Sequence, residues 1–180
     1  MNRMQVIDED GIRRSVMRLA HEVVEKFRGA ERIVLVGIRK RGDHLAARLA
    51  RAIEEIEGKK IDVGFLDITL YRDDLRGRLD HPELKSTEIL FNIDGKILIL
   101  VDDVLYTGRT IRAALDALAD IGRPSSIQLL VLIDRGHREL PIKADFVGKN
   151  LPTSSTQQIE VHLKEVDGED AAYLIDLEGS

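Results

Sequence analysis

The sequence feature that most constrains the fold is the segment 98–110, LILVDDVLYTGRT. Its apolar run ends in two adjacent acids, Asp102 and Asp103, and a turn with hydroxyl and glycine residues follows. A helical pattern of apolar residues then begins near Thr110. The order strand, acids, turn and helix is typical of the carboxyl end of a parallel strand, where open α/β sheets bind ligands.

The residue types of this segment predict a particular ligand. Backbone N–H groups in the turn and at the start of the helix attract a phosphate, and Thr107 and Thr110 add hydroxyl donors. Gly108 lets the backbone approach the ligand closely. Asp102 and Asp103 would repel a phosphate, but they accept hydrogen bonds from sugar hydroxyls or hold magnesium, directly or through water. The segment therefore predicts a site for a ribose 5-phosphate.

The same segment resembles the signature of the type I phosphoribosyltransferases for phosphoribosyl diphosphate (PRPP): four apolar residues, two acids, two apolar residues, a variable position and Thr-Gly-x-Thr. All thirteen positions fit. The resemblance implies a Rossmann-like α/β fold, with a mostly parallel sheet flanked by helices. It also implies magnesium, bound with PRPP and held indirectly by the two acids. The implied PRPP or nucleotide site is formed by Asp102, Asp103, Val104, Leu105, Tyr106, Thr107, Gly108, Arg109 and Thr110.

Two other readings of the segment remain open. One is a strand whose acids are solvated, followed by an ordinary helix N-cap at Thr110. The other is a Walker A loop, which fits poorly because Gly108 is not followed by Lys and Ser or Thr.

A second strand–loop–helix unit precedes this segment. Residues 33–36 form a buried-type strand, residues 37–42 form a loop, and apolar residues at helical spacing continue to Gly58. We expect this loop at the same edge of the sheet. Its consecutive cations, Arg39, Lys40 and Arg41, predict contacts with the diphosphate. A solvated charge run is the alternative.

The remaining pattern predicts one domain over residues 1–180, with a small antiparallel add-on at 150–180. Alternating apolar residues at 159–163 and 173–177 predict a hairpin there. A first helix is expected after Asp8 and Asp10. Further strands are expected at 61–70, 87–91, 96–101 and 126–133.

The polar segment 71–86 has the length of a lid over the site. A lid would exclude water from a glycosyl cation, and Arg72 at its hinge is expected to reach the diphosphate as a catalytic residue. An inert surface loop is the alternative.

Composition excludes several classes of protein. A chain of 180 residues with 43% hydrophobic and 33% charged residues indicates one globular core. No apolar run reaches the length of a membrane span, and the amino terminus lacks the apolar segment of a secretory signal, so we expect a cytoplasmic protein. The absence of cysteine excludes thiol catalysis and thiolate metal sites. With a net charge of −5, nucleic-acid binding requires a local basic patch.

Longer segments resemble a narrower family, the bacterial pyrimidine-operon regulators that are also uracil phosphoribosyltransferases. These segments are residues 12–14, 20–22, 36–38, 67–74, 122–129, 134–141 and 148–150. The resemblance implies conversion of uracil and PRPP to UMP and diphosphate. It also implies binding of pyrimidine-operon leader mRNA in response to UMP or UTP, by a homodimer that often forms a tetramer.

Basic residues on one face of the first helix and in a later segment are the candidates for RNA contact, and dimerisation would merge them into one patch. These residues are Arg14, Arg18, His21, Arg138, Lys143 and Lys149. By resemblance, uracil recognition belongs to the hairpin and to Arg135, for which a structural surface role is the alternative.

Tyr106 separates this chain from the 6-oxopurine transferases of the type I family, which carry an acid at that position. The difference argues against hypoxanthine, guanine or xanthine as the base. Two alternative functions are a non-catalytic, UMP-sensing RNA-binding regulator and a phosphoribosyltransferase for another base without an RNA role.

Overall fold

The structure is a computed structural model that describes residues 2–71 and 87–177. Arg72 and nearly all of the predicted lid lie outside the described residues. The helices are α1 (Glu9–Phe27), α2 (Gly42–Glu57), α3 (Arg109–Ile121) and α4 (Lys164–Asp167). The strands are β1 (Asn2–Ile7), β2 (Ile33–Ile38), β3 (Asp62–Leu66), β4 (Ile97–Leu105), β5 (Ser126–Asp134), β6 (Phe146–Asn150), β7 (Gln157–His162) and β8 (Ala171–Asp176).

A parallel sheet forms the centre of the described fold, with the strand order β3-β2-β4-β5-β6. Its inner strands are continuous apolar runs because helices cover both faces. The inner faces of α1 and α2 pack in one apolar cluster and that of α3 packs in a second. The prediction of a mostly parallel α/β fold is confirmed.

The strand order reverses between β2 and β4. The connection through α2 leads from β2 to β3 on one side, and the connection through α3 leads from β4 to β5 on the other. Ligands of open α/β sheets bind at such a switch point, outside the carboxyl ends of the strands. β4 pairs with β2 only as far as Val101, whereas it pairs with β5 as far as Leu105. The last residues of β4 therefore have an open side, which faces the loop after β2.

A small antiparallel sheet with the order β1-β8-β7 lies beside the parallel sheet. It confirms the predicted hairpin of β7 and β8, although α4 and a left-handed Gly168 occupy the connection. Ile159 and Val161 of β7 belong to the same apolar cluster as α1 and α2. This packing fixes the small sheet, which we call the hood, next to α2.

The structure differs from the predicted pattern at several edges. Residues 87–91 are not a strand, because only one bridge joins Glu88 to Phe65. The expected strand at 61–70 stops at Leu66, since Asp67 accepts a hydrogen bond from the Thr69 N–H (2.9 Å) and starts a 3-10 turn. β1 and β6 were not predicted.

Helix α1 begins as its sequence predicts, since the Asp8 carboxylate accepts a hydrogen bond from the Gly11 N–H (2.7 Å). It ends at a left-handed Arg28, one residue before the expected Gly29. Within the described ranges, no helix combines the length and apolarity needed to cross a membrane.

Candidate active site

The acid pair lies in the last part of β4, beyond the end of its pairing with β2. Asp102 is only 5% exposed, and its Oδ1 accepts a hydrogen bond from the Asp103 N–H (2.9 Å). Asp103 Oδ1 accepts one from the Val104 N–H (2.8 Å). Burial raises the pKa of Asp102 well above its usual range, and the neighbouring Asp103 raises it further. Burial also raises the pKa of Asp103, although the charge of Arg41 opposes this shift.

The turn after β4 is held by the segment that follows β5. The Thr107 carbonyl accepts hydrogen bonds from the N–H groups of Glu139 (2.9 Å) and Leu140 (3.2 Å), and the Tyr106 carbonyl accepts one from Arg138 Nη1 (2.6 Å). In a trans peptide the next N–H points opposite to the carbonyl. The N–H groups of Thr107 and Gly108 therefore point away from residues 138–140, towards the ligand edge.

Gly108 is required at this turn for two reasons. Its φ of 94° lies in the left-handed region, and a Cβ there would meet Ile142 Cδ1 at 3.3 Å. Helix α3 starts at the next residue, so its first N–H groups and its positive dipole end face the same edge. The predicted combination of an anion-binding turn and an acid pair is thus assembled on one strand end.

The other residues of the 98–110 segment occupy different environments. Leu105 is buried in the apolar cluster under α3, and Val104 is partly buried in the other cluster, so their side chains support the fold. Arg109 and Thr110 are exposed at the start of α3. The Arg109 guanidinium lies near Glu139, with 3.6 Å between Nε and Oε2.

The loop after β2 packs directly against the acid pair. A Cβ on Gly42 would lie 2.5 Å from the Val101 carbonyl oxygen and 3.2 Å from the Asp102 Cα. A Cβ on Gly37 would lie 2.3 Å from the Gly42 carbonyl oxygen. Only glycine fits both positions, and this close approach places the loop beside the acids. The peptide bond between Arg39 and Lys40 is cis.

The three cations of this loop have different partners. The Arg39 guanidinium lies between Asp43 (3.8 Å) and Glu88 (3.6 Å), and its buried Nε has no hydrogen-bond partner among the described residues. Lys40 is exposed. Arg41 is half-buried and donates through Nη2 (2.8 Å) and Nε (3.2 Å) to the carboxylate of Asp167 in the hood.

A cavity of about 360 Å³ lies between Asp103 of the acid pair, the loop after β2 and the hood. Its lining residues are Arg41, Asp103, Gln158, Ile159, Glu160, Val161 and His162. Its size is within the range of small-molecule sites. Three separate parts of the chain therefore meet around one polar space.

Arg135 has a structural role between the hood and the turn after β4. It is only 5% exposed, and it donates from Nε to Thr153 Oγ1 (3.1 Å) and from Nη2 to the Gln157 carbonyl (2.6 Å). Its guanidinium carbon lies 3.9 Å from the centroid of the Tyr106 ring, a cation–π contact. Burial lowers the pKa of Arg135. Tyr106, at the position where the sequence analysis expected an acid in 6-oxopurine transferases, therefore stabilises a buried arginine.

The basic candidates for RNA contact separate into two groups. Arg18 donates to the Gly148 carbonyl and Lys149 Nζ donates to the Val6 carbonyl (3.1 Å), so α1, β1 and β6 form one surface that carries these cations. On this surface Arg18 also pairs with Glu22 (2.8 Å). Arg14 on the same helix pairs with Asp10. His21 and Lys143 are exposed.

Arg138 belongs instead to the turn after β4. Its three guanidinium nitrogens donate to Asp134, to the Tyr106 carbonyl and to the Ile142 carbonyl (2.9 Å from Nε). The structure therefore gives Arg138 a supporting role at the turn after β4, and the RNA role expected from the sequence stays a prediction.

The class of protein follows from comparison with known sequences. Residues 5–165 match the phosphoribosyl transferase domain family, to which the chain therefore belongs. Two similar proteins are each named bifunctional protein PyrR. The protein from Pelotomaculum thermopropionicum is 59% identical over 172 residues, covering 96% of this chain and 95% of that protein. The protein from a Roseiflexus species is 61% identical over 168 residues, covering 93% and 92%. The chain is thus a member of the PyrR family.

Solved structures confirm the fold. The crystal structure of a hypoxanthine-guanine phosphoribosyltransferase from Bacillus anthracis has a TM-score of 0.71 at 23% identity and covers 96% of this chain and 97% of its own. A hypoxanthine phosphoribosyltransferase from Trypanosoma cruzi has a TM-score of 0.71 at 20% identity, covering 96% and 95%. At these identities the similarity shows the phosphoribosyltransferase fold alone.

Several supporting residues were not indicated by the sequence pattern. Asp167 pairs with Arg41 across 126 positions, and Thr153 and Gln157 hold Arg135. The glycines at 37 and 42 were the one local signal, because two glycines flanking a charged loop indicate a close backbone approach.

Proposed function

We propose that this protein transfers the phosphoribosyl group of PRPP to uracil, giving UMP and diphosphate. We propose further that it binds the leader mRNA of pyrimidine-biosynthesis operons when UMP or UTP is abundant. The observation that carries the catalytic half is the buried acid pair at the switch point, with an anion-binding turn on one side and a second loop on the other. Membership of the PyrR family supports both halves.

In this proposal, each element contacts a different part of PRPP. The carboxylates of Asp102 and Asp103 accept hydrogen bonds from the ribose hydroxyls, and the N–H groups of residues 107–110 hold the 5-phosphate. The loop at 39–42 contacts the diphosphate, and the hood positions uracil. Arg135 contributes to uracil recognition by holding Thr153 and Gln157 in place. The site holds the base nitrogen against the anomeric carbon and stabilises the departing diphosphate, without a covalent nucleophile.

Magnesium fits this site as a companion of the substrate. Asp102 and Asp103 are carboxylates whose pKa values are raised by burial, so a nearby cation would stabilise their charged forms. Within residues 2–71 and 87–177, no group of three or more His, Cys, Asp or Glu side chains is placed to hold a metal. The diphosphate and water would supply the remaining ligands, as is usual for magnesium, and the ion would neutralise the leaving group.

The RNA half of the proposal rests on the surface formed by α1, β1 and β6. Arg14, Arg18, His21 and Lys149 lie on these elements, and they would contact phosphates and unpaired bases. We include a homodimer or a tetramer of the cytoplasmic protein in the proposal, because a second copy doubles a small patch on a chain with a net charge of −5.

Two measurements test the two halves separately. Radiolabelled uracil is incubated with PRPP and magnesium, and UMP is the expected product. UMP binding without turnover would instead indicate a non-catalytic sensor. A gel shift with pyrimidine-operon leader RNA is expected to show retardation that UMP enhances. Turnover of uracil without such retardation would remove the regulatory role.

A further inference from the structure

The hood is attached to α2 and to the loop before it by two arginines. Arg48 of α2 donates to Asp170 from Nη1 (2.9 Å) and Nη2 (2.8 Å), and to Glu165 from Nε (2.9 Å). Arg41, one residue before α2, donates with two nitrogens to Asp167. Three acids of one short hood segment, residues 165–170, are therefore paired with two arginines.

The two pairings differ in what lies beside them. Arg41 also lines the cavity that contains Asp103, whereas Arg48 lines a different cavity, between α1 and α2. Asp167 is held from its own side, because its Oδ2 accepts a hydrogen bond from the Leu163 N–H (2.8 Å). The position of the Asp167 carboxylate is thus fixed by the hood backbone, and the bidentate pair transmits that position to Arg41.

The backbone of Arg41 has an unfavourable conformation. Its φ of 73° is in the left-handed region, which is uncommon for a residue with a side chain. A contact made by the side chain helps to offset the free-energy cost of this conformation. Asp167 supplies that contact, and the guanidinium pairs with it in a fixed geometry. Arg41 in turn lowers the pKa of Asp167, so the pair stays charged at neutral pH.

We infer that Asp167 is a positioning residue for PRPP, which holds the Arg41 guanidinium at the cavity so that Arg41 receives the diphosphate already oriented. The inference rests on the proposed function of the loop at 39–42 as the diphosphate contact. The pair of Arg41 and Asp167 connects the hood, which we propose positions uracil, to the loop that we propose contacts the diphosphate.

The first test compares the steady-state kinetics of uracil conversion in the wild type and two variants. Asp167→Asn removes the charge but keeps the shape, and the KM for PRPP is expected to rise about tenfold. The inhibition constant for inorganic diphosphate should rise by a similar factor, while the KM for uracil stays within about twofold. Asp170→Asn is the matched control, because it removes a charge from the same segment but leaves the Arg41 pair intact. Its KM for PRPP should stay within about twofold of the wild type.

A double-mutant cycle separates positioning from general support of the hood. If Asp167 acts through Arg41, the variant with both Arg41→Ala and Asp167→Asn has the KM for PRPP of Arg41→Ala alone. Additive effects would overturn the inference, as would an unchanged KM in Asp167→Asn or an equal rise in Asp170→Asn. If Arg41→Ala leaves the KM for PRPP unchanged, Arg41 does not contact the diphosphate. That result would contradict the proposed role of the loop at 39–42, and the inference about Asp167 with it.

Discussion

Two groups of aspartates in this protein have opposite electrostatic environments. Asp102 and Asp103 are adjacent, and burial raises the pKa of both. Asp167 and Asp170 in the hood bind arginines, which lower their pKa values despite partial burial. The hood acids are neutralised by arginines of the fold itself, whereas no arginine among residues 2–71 and 87–177 forms an equivalent bidentate pair with Asp102 or Asp103. Two adjacent carboxyl groups whose pKa values are raised by burial are suited to a ligand that supplies hydroxyl groups or a cation.

Removing the charges of the acid pair is expected to have the largest effect on catalysis. The double variant Asp102→Asn, Asp103→Asn should lower kcat/KM for PRPP more than about a hundredfold, because it removes charged acceptors for the ribose and the associated magnesium. The fold should persist. The free energy of unfolding at pH 7, measured by urea denaturation, should rise by about 1 kcal/mol, because the variant no longer has to ionise two carboxyl groups in a desolvated site. Wild-type kinetics in this variant would contradict the ribose assignment.

Arg138→Ala is expected to have the next largest effect on catalysis. It removes the donor to the Tyr106 carbonyl and leaves Asp134 without its arginine, so the turn at 106–110 loses support. We expect a fall of about tenfold in kcat/KM for PRPP, together with weaker RNA binding. A variant that loses only RNA binding would show that Arg138 serves the RNA surface alone.

The hood acids that pair with Arg48, Glu165 and Asp170, should affect stability rather than chemistry. Arg48→Ala leaves Glu165 and Asp170 without their bidentate partner in a partly buried site. The free energy of unfolding is expected to fall by about 2–3 kcal/mol, measured by urea denaturation. The kcat of the folded fraction should stay close to that of the wild type. A loss of kcat without a loss of stability would contradict the assignment of this pair to the fold.

The pH dependence of stability should differ in sign between the two groups. The acid pair has raised pKa values, so it lowers the free energy of unfolding most at neutral pH. This unfavourable contribution disappears as the carboxyl groups become protonated, when the pH falls towards about 4. The hood acids have lowered pKa values, so their stabilisation is present at neutral pH and is lost as the pH falls below about 4.

Denaturation of the wild type and the acid-pair variant between pH 7 and pH 4 tests this sign. The stability gain of Asp102→Asn, Asp103→Asn should be largest at pH 7 and should shrink as the pH falls. A gain that grows towards acid pH would mean that the acid pair is not held with raised pKa values.

The smallest effect concerns the RNA surface. Lys149→Ala should weaken leader-RNA binding a few-fold and reduce the slope of log K against log salt by about 1. Lys59→Ala, an exposed lysine after α2, is the matched control and should leave the slope unchanged. Equal slopes for the wild type, Lys149→Ala and Lys59→Ala would mean that the RNA does not contact Lys149.

The sequence predicted the acid-pair region far better than the hood contacts. The features of the segment 98–110 are local, because an apolar run, two acids, a glycine and the start of a helical pattern all lie within thirteen residues. The β2 loop was also predicted, since its glycines and cations are adjacent in sequence. Such features depend on backbone conformation, which short patterns describe well.

The partners of the loop cations could not be predicted in the same way. Arg41 and Asp167 are 126 positions apart, and nothing in a solvated-looking acidic stretch indicates which arginine it meets. β1 was missed because its residues are mostly exposed and it is defined only by pairing with β8, at the other end of the chain. The predicted strand at 87–91 was wrong for the converse reason. Its apolar residues suggested a strand, but within the described part of the chain it pairs only through the bridge between Glu88 and Phe65.

Isothermal titration calorimetry with UMP and with PRPP tests the central claim most directly. The wild type should bind both ligands, and the Asp102→Asn, Asp103→Asn variant should lose most of that affinity while its unfolding transition stays cooperative. Equal affinities in the two proteins, or binding of neither ligand by the wild type, would contradict the assignment of the acid pair to the ribose.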